Sequence, residues 1–193
     1  MTRVVLINAA PTPWEADDRI VGDQSLPLTD DARQKLQATI DGIPQEPAIA
    51  AVYRAKAIEC CDEATKILAG KFALRPRDND DLRPPNLGLW QGLTRAEVRA
   101  RFPKVFAQWE KTPLNVNPPD GEPTLEAVQR LRGALQAILR RNRDRTVAIV
   151  LRPMAFGIIC RLLRGQVLDG TSAAALHDAP AIDTIELQPG ILE

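Results

Sequence analysis

Short runs of apolar, β-branched residues alternate along this chain with segments whose apolar residues recur every three or four positions. The runs predict buried strands at 3–8, 48–53, 146–151 and 182–187. The segments between them predict helices at 30–40, 55–68, 125–139 and 153–163, with Thr124 as the cap of the third. Strands that alternate with helices form a mostly parallel sheet covered on both faces. The alternation therefore predicts an α/β fold, with three α/β/α layers around a mostly parallel central sheet.

Several of the predicted helices have a recognisable first residue. Thr29 precedes two acidic residues and is expected to cap the helix at 30–40. Thr94 and Glu97 form the Thr-x-x-Glu pattern of a capping box, at the start of a helix that stops before Pro103. Pro153 occupies the first position of the helix at 153–163, where a missing N–H costs nothing.

Length and proline distribution indicate the domain organisation. The chain has 193 residues, the size of one domain, and it contains no repeat or low-complexity linker. Eight of its sixteen prolines fall between positions 76 and 123, where only short helices fit. We therefore expect a single domain over 1–193 with a proline-rich, irregular insertion at about 76–123.

Charge and hydropathy exclude several classes of partner. The chain has 25 lysines and arginines against 25 acidic residues, so its formal net charge is zero. This balance argues against nucleic acid or anionic lipid as the partner, and the arginine-rich run at 140–145 is expected to be a solvated helix end. No apolar stretch approaches the roughly 20 residues of a membrane span. We expect neither a nucleic-acid partner nor a membrane partner.

The cysteines and the histidine limit the possible chemistry further. Cys60 and Cys61 are adjacent and Cys160 is distant, so the three cysteines form no disulfide framework and no zinc-binding pattern. We expect them to be buried, in a reduced, cytoplasmic protein that holds no metal. His177 is the single histidine, which excludes any mechanism that needs two. It is expected to lie partly exposed in a loop or at a helix end.

Functional groups in a parallel sheet gather at the carboxyl ends of its strands. Here those ends are 8–10 after the first strand, Arg54 after the second, and Arg152 with Pro153 after the third. Arg152 precedes a predicted helix, whose first N–H groups favour an anion. These positions are therefore the first candidates for a binding site.

Four segments, taken in order, resemble the histidine phosphatase superfamily, which is also called the phosphoglycerate mutase-like family. They are the strand at 4–7 with Thr12, Trp14, Gly22 and 26–29; Leu82 and Arg83 with 88–94; 118–122 with Arg130; and 147–150 with Gly157. The resemblance spans nearly the whole chain. It implies the phosphoglycerate mutase-like form of the α/β fold.

The resemblance also implies a chemistry, which is phosphoryl transfer through a phosphohistidine. In the family an Arg-His-Gly sequence after the first strand supplies the nucleophile, and a second arginine, a glutamate and a second histidine complete the site. Several cations and an in-line nucleophile suit the multiply charged transition state of phosphoryl transfer. No cofactor is expected.

This chain departs from the family at each of these positions. Asn8 and Ala9 stand where the arginine and the nucleophilic histidine are expected. Glu59 replaces the second arginine, Pro84 replaces the glutamate, and Arg152 replaces the second histidine. A methyl group cannot attack phosphorus, and a carboxylate would repel a phosphate. The departures indicate that the residues at these positions do not carry out phosphohistidine chemistry.

The leading interpretation is a pseudoenzyme that acts by binding, scaffolding or regulation, with a protein or a small molecule as its partner. One alternative is an enzyme that acts on a phosphate ester with a different residue set, around Arg152, Arg54 or Glu122. Another is a sensor that binds a small molecule or an anion in the remaining cleft. A collapsed, salt-bridged cleft would favour scaffolding, whereas an open cleft with a free Arg152 would favour sensing.

The residual pocket is expected to contain Arg152, Asn8, Glu59, Arg54 and Trp14. Glu59 and Arg152 are predicted to form a partly buried ion pair that fills the former phosphate site. In the alternative, Arg152 remains free and binds an anion through its guanidinium and the adjacent helix N-terminus.

Overall fold

The computed structural model describes residues 1–187. Within these residues the strands are β1 (Arg3–Asn8), β2 (Ile49–Arg54), β3 (Pro76–Asp78), β4 (Thr146–Leu151) and β5 (Ile182–Glu186). They form one sheet in the order β3-β2-β4-β1-β5. Only β5 runs antiparallel to its neighbour, so the predicted α/β fold with a mostly parallel sheet is confirmed. The last six residues of the predicted domain, 188–193, lie outside the described residues.

The centre of the sheet is apolar, as the sequence predicts. Every residue of β4 is buried, and so is β1 from its second residue onward. The two strands pair in parallel, with Arg3 opposite Thr146 and Asn8 opposite Leu151. Their carboxyl ends therefore lie side by side, and the residues that follow them begin the candidate site.

The helices connect the strands and pack beside the sheet. In chain order they are α1 (Pro13–Ala16), α2 (Asp30–Asp41), α3 (Glu59–Phe72), α4 (Arg95–Arg101), α5 (Pro103–Lys111), α6 (Thr124–Arg141), α7 (Pro153–Leu163) and α8 (Ala173–His177). The predicted caps are confirmed at two of them. Thr29 Oγ1 accepts a hydrogen bond from the Ala32 N–H, and Thr94 forms a capping box with Glu97.

Two predicted helix boundaries are wrong. Helix α3 begins at Glu59 rather than at 55, because Ala57 adopts a left-handed conformation with φ 58° that no helix accommodates. It also continues through Gly70 to Phe72, and Ala73 takes the left-handed C-cap conformation. In α6, Thr124 is the first helical residue, and its hydroxyl donates to Val116 O instead of capping the helix.

The proline-rich segment forms short elements and contributes the wall of the cavity at the carboxyl edge of the sheet. Besides α4 and α5 it holds three short 3-10 helices, at 80–82, 88–90 and 113–115, among the residues described. Its core is an aromatic cluster in which Phe106 stacks on Trp109 and Trp90 meets both rings edge-on. The sequence did not predict β3, a three-residue edge strand that begins this segment.

Candidate functional site

A cavity of about 170 Å³ lies where β1 and β4 end, under the proline-rich segment. Its charged and polar lining residues are Glu15, Asp18, Arg19, Arg95, Arg152 and His177. Its apolar lining residues are Ile20, Val21, Pro84, Pro85, Leu87, Trp109, Pro153 and Met154. The cleft has not collapsed, but Arg152 is paired with Glu15 inside it, so it combines one feature of each expected outcome.

Arg152 is the buried cation of this site, with only 3% of its surface exposed. Its Nη2 lies 2.9 Å from Glu15 Oε1, and its Nη1 donates to Ala9 O at 2.8 Å and to Cys60 Sγ at 3.7 Å. Its Nε has no partner among the described residues. Burial opposes the charged form, but Cys60 and Glu15 outweigh it and raise the pKa of Arg152. The guanidinium stays charged, and both of its terminal nitrogens already contact groups of the protein.

Glu15 is held rigidly because it also caps its own short helix. Thr12 and Glu15 form a capping box around α1, with Pro13 in the first turn. Glu15 Oε2 accepts hydrogen bonds from the Thr12 N–H at 2.8 Å and the Thr12 hydroxyl at 3.2 Å. Its other oxygen, Oε1, is the one that meets Arg152. The Glu15 carboxylate thus completes the capping box of α1 and also neutralises Arg152.

His177 lines the cavity at the end of α8. Its Nδ1 lies 2.8 Å from Ala173 O, and its ring meets Trp109 edge-on with centroids 5.9 Å apart. Burial lowers the pKa of His177 below its ordinary value of 6.5 despite the hydrogen bond to Ala173. The prediction of a helix-end histidine is confirmed. His177 lies 25 residues beyond Arg152 in sequence, and no local sequence pattern predicts that it lines the cavity.

Two further arginines belong to the lining. Arg95 Nε lies 3.2 Å from Asp18 Oδ1, in a pair that is exposed on both sides. Arg19 Nη1 donates to Gly92 O at 2.7 Å, which ties the loop after α1 to the proline-rich segment. The cavity therefore holds three arginines and two carboxylates, together with one histidine that its lowered pKa keeps neutral at pH 7.

The predicted ion pair between Glu59 and Arg152 is wrong. Glu59 is exposed at the start of α3, where its backbone N–H donates to Ser25 Oγ at 3.0 Å. Arg152 is buried and pairs with Glu15 instead. A pairing of Arg152 with a carboxylate was expected, but the partner is Glu15 of α1, because the Glu59 side chain is exposed and the residue of α3 that contacts Arg152 is Cys60.

Three other predicted pocket residues are not part of the cavity lining. The Asn8 side chain donates from Nδ2 to Ala179 O at 3.2 Å, and Trp14 lies beside Gly92. Arg54 pairs with Asp62 and Asp78 at the end of β2. Pro84 does line the cavity. The residues predicted at the carboxyl edge are thus divided between the cavity and its surroundings.

Ala9 and Cys60 lie directly beneath Arg152 and are fully buried. A hydrogen bond from Cys61 lowers the pKa of Cys60 against the effect of burial, and Arg152 adds to the lowering. The pKa of Cys61 is raised by that same hydrogen bond and by burial. Both cysteines are buried as predicted, and the contact of Cys60 with Arg152 is an addition from the structure.

Glu122, a candidate residue for an enzymatic activity, forms an ion pair outside the cavity lining. It pairs with Arg130 at 2.7 Å and accepts a weak hydrogen bond from the Asn86 N–H at 3.4 Å.

Over residues 1–187, no group of three or more potential ligands from His, Cys, Asp and Glu is placed to hold a metal ion. Across the same residues, no helix is both long and apolar enough to span a bilayer.

Comparison with known proteins identifies the family. The sequence profile of the histidine phosphatase superfamily (branch 1) matches residues 4–190, and the chain belongs to this superfamily. A solved structure described as Bacillus stearothermophilus YhfR superposes with a TM-score of 0.85 at 26% identity, over 98% of this chain and 93% of that one.

Two curated relatives are longer than this chain. Phosphoglycerate mutase-like protein 4 of Arabidopsis thaliana is 27% identical over 149 residues, which are 76% of this chain and 64% of that protein. Bifunctional protein Rv2228c of Mycobacterium tuberculosis is 26% identical over 161 residues, which are 83% of this chain and 44% of that protein. The chain thus spans less than two thirds of either relative.

Proposed function

We propose that this protein binds a small ligand in the cavity and does not form a phosphohistidine at the end of β1. The observation that carries the proposal is the ion pair between Arg152 and Glu15 at the base of an open cavity. A guanidinium that would otherwise attract a phosphate already has a carboxylate 2.9 Å away. An incoming dianion would meet the repulsion of Glu15 as well as the attraction of Arg152.

The residue that follows β1 supports the same conclusion. Ala9, which the family resemblance aligns with the nucleophilic histidine, is fully buried and carries only a methyl group. Its backbone carbonyl accepts a hydrogen bond from Arg152 at 2.8 Å. The end of β1 therefore holds the arginine in place and offers no nucleophile to a substrate.

Removing the Glu15 charge tests this proposal. We expect no saturable binding of orthophosphate to the wild-type protein by isothermal titration calorimetry. Glu15→Gln keeps the shape of the side chain, removes the repulsion and leaves Arg152 uncompensated, so orthophosphate binding should appear. Glu122→Gln is the matched control, because it frees Arg130 of its carboxylate outside the cavity lining. Orthophosphate binding to the wild type with an affinity equal to that of Glu15→Gln would contradict the proposal.

A second candidate is a phosphate-ester hydrolase in which His177 is the nucleophile. The observation in its favour is that the single histidine lines the cavity together with three arginines. Its Nε2 lone pair would form the bond to phosphorus as the bond to the leaving alcohol breaks, and water would then hydrolyse the phosphohistidine. Turnover of p-nitrophenyl phosphate that is lost in His177→Ala would select this candidate over ligand binding.

A further inference from the structure

The cavity lining combines charged groups with a large apolar surface. Its apolar part includes Pro84, Pro85, Leu87, Met154 and the ring of Trp109. Sites of this composition bind ligands that have an apolar body and one polar end. The volume of about 170 Å³ restricts the ligand to a small molecule.

The formal charge of the lining favours a ligand with a single negative charge. Three arginines face two carboxylates, and the neutral His177 adds nothing, so one positive charge remains uncompensated. A monoanion would make the site neutral. A dianionic phosphate monoester would leave a net negative charge in a partly enclosed site, where charges are poorly screened.

The tautomer of His177 favours a ligand that also donates a hydrogen bond. A backbone carbonyl can only accept, so the Nδ1 atom that meets Ala173 O at 2.8 Å must carry the proton. Nε2 of the neutral ring is then an acceptor, and it has no partner among residues 1–187. A hydroxyl or an N–H group on the ligand would satisfy it.

Two buried donors of the lining lack an acceptor. Trp109 is 1% exposed and Arg152 is 3% exposed, yet neither the indole Nε1 nor the guanidinium Nε has a partner within the described part of the chain. Buried N–H groups are nearly always hydrogen-bonded in folded proteins. Because each nitrogen has less than 1 Å² of exposed surface, a ligand in the cavity can reach neither of them unless the lining rearranges.

We propose that the ligand is a small aromatic or apolar monocarboxylate that carries one hydroxyl or N–H donor. This inference rests on the proposed function, because it names the ligand class of the same cavity. The carboxylate faces the arginines, the apolar body lies against the prolines and Trp109, and the donor meets His177 Nε2.

Three probes of similar shape test the ligand class. 4-Hydroxybenzoate has the charge, the ring and the donor; benzoate lacks the donor; phenyl phosphate is a dianion at pH 8. We expect 4-hydroxybenzoate to bind about 2- to 10-fold more tightly than benzoate, the range of one hydrogen bond. Phenyl phosphate should bind at least about tenfold more weakly than benzoate. Calorimetry on the wild-type protein measures all three.

The single histidine provides a direct spectroscopic readout of the same site. In protein labelled with ¹⁵N-histidine, His177 gives the only imidazole signals of the chain. The free protein should show the Nδ1-protonated tautomer, and 4-hydroxybenzoate should shift the Nε2 resonance more than benzoate does. An unchanged Nε2 resonance with bound 4-hydroxybenzoate would contradict the contact.

Two variants assign the contacts, and one control tests the specificity of the effect. Arg95→Gln should weaken benzoate binding about tenfold because it removes a cation of the lining. His177→Phe should abolish the preference for 4-hydroxybenzoate over benzoate. Arg132→Gln, which changes an exposed arginine of α6, should bind all probes like the wild type. Circular dichroism verifies that each variant is folded.

The outcomes separate this inference from the proposed function. Turnover of phenyl phosphate or a trapped phosphohistidine would overturn the proposed function. Tightest binding of phenyl phosphate without turnover would overturn the monocarboxylate alone, and so would failure of all three probes to bind.

Discussion

Two arginines end neighbouring strands of the sheet, and each pairs with carboxylates. Arg54 is the last residue of β2 and lies 2.6 Å from Asp62 and 3.1 Å from Asp78, with 18% of its side chain exposed. Arg152 follows β4 and pairs with the single carboxylate of Glu15, with 3% of its side chain exposed. Arg152 therefore has fewer charged partners and far less access to water.

Burial, and not the number of ion pairs, therefore distinguishes the roles of the two arginines. Arg54 can exchange Asp78, which is 43% exposed, for water at little cost, so that pair contributes little to stability. Arg152 cannot exchange Glu15 in this way, because the proline-rich segment and α7 enclose it beside an open cavity. Arg54 thus joins the end of β2 to two nearby carboxylates, whereas Arg152 forms the base of the cavity at the end of β4.

Breaking the buried pair should have the largest effect on stability. Glu15→Leu leaves a buried guanidinium without its carboxylate, and we expect it to lower the free energy of unfolding by about 3 kcal/mol. Urea denaturation measures the change. The double variant Glu15→Leu with Arg152→Met removes both charges and should recover most of the loss. A single variant as stable as the wild type would show that Arg152 is not enclosed as described.

Displacing α8 should have the next largest effect, because α8 carries His177 to the cavity. A Cβ atom at Gly157 in α7 would stand 2.1 Å from Leu176 O, so Gly157→Ala must push the two helices apart. We expect a loss of about 2 kcal/mol in urea denaturation.

Gly133→Ala on α6 is the matched control, because nothing lies within 4 Å of the added atom. It should stabilise the protein slightly through helix propensity, by up to about 1 kcal/mol. Equal effects of the two substitutions would contradict the close contact between α7 and α8.

A smaller effect depends on pH. The pKa of His177 is lowered below 6.5 by burial, so the unfolded chain binds its proton at a higher pH than the native protein does. The contribution of His177 is complete above about pH 6.5 and is lost as the pH falls from there through the native pKa. Urea denaturation from pH 7 to pH 5 should show a decline that is shallower in His177→Phe. A steeper decline in that variant would contradict a neutral, half-buried imidazole.

Removing a partner of Arg54, the less buried of the two arginines, should have the smallest effect on stability. Asp78→Ala removes one of the two carboxylates beside Arg54, and we expect it to cost about 0.5 kcal/mol or less. The same denaturation assay measures it. If the loss matched that of Glu15→Leu, the contrast between the two arginines would be wrong.

The sequence predicts the two central strands, β1 and β4, well because they are buried on both faces and therefore read as continuous apolar runs. The strands β1 and β4 follow from their apolar residues alone. The edge strand β3 was missed because its three residues are exposed and polar, and only pairing with β2 makes it a strand. Its existence depends on a tertiary contact.

The candidate site was predicted only in part. Arg152 and Pro84 were found because they occupy positions that the family resemblance defines. Glu15 was missed, although Thr12 and Glu15 form the same Thr-x-x-Glu pattern that was recognised at Thr94. The place of His177 in the cavity could not be predicted, since it depends on the packing of α8 against α7.

The most direct test of the account is the attempt to trap a phosphorylated protein. The wild-type chain is mixed with p-nitrophenyl phosphate, quenched at alkaline pH to preserve any phosphohistidine, and weighed intact by mass spectrometry. If the cavity binds a ligand without phosphohistidine chemistry, the chain keeps its unmodified mass and releases no p-nitrophenol above the buffer control. A mass increase of one phosphoryl group, absent in His177→Ala, would contradict the account and make this protein a phosphatase with its nucleophile on α8.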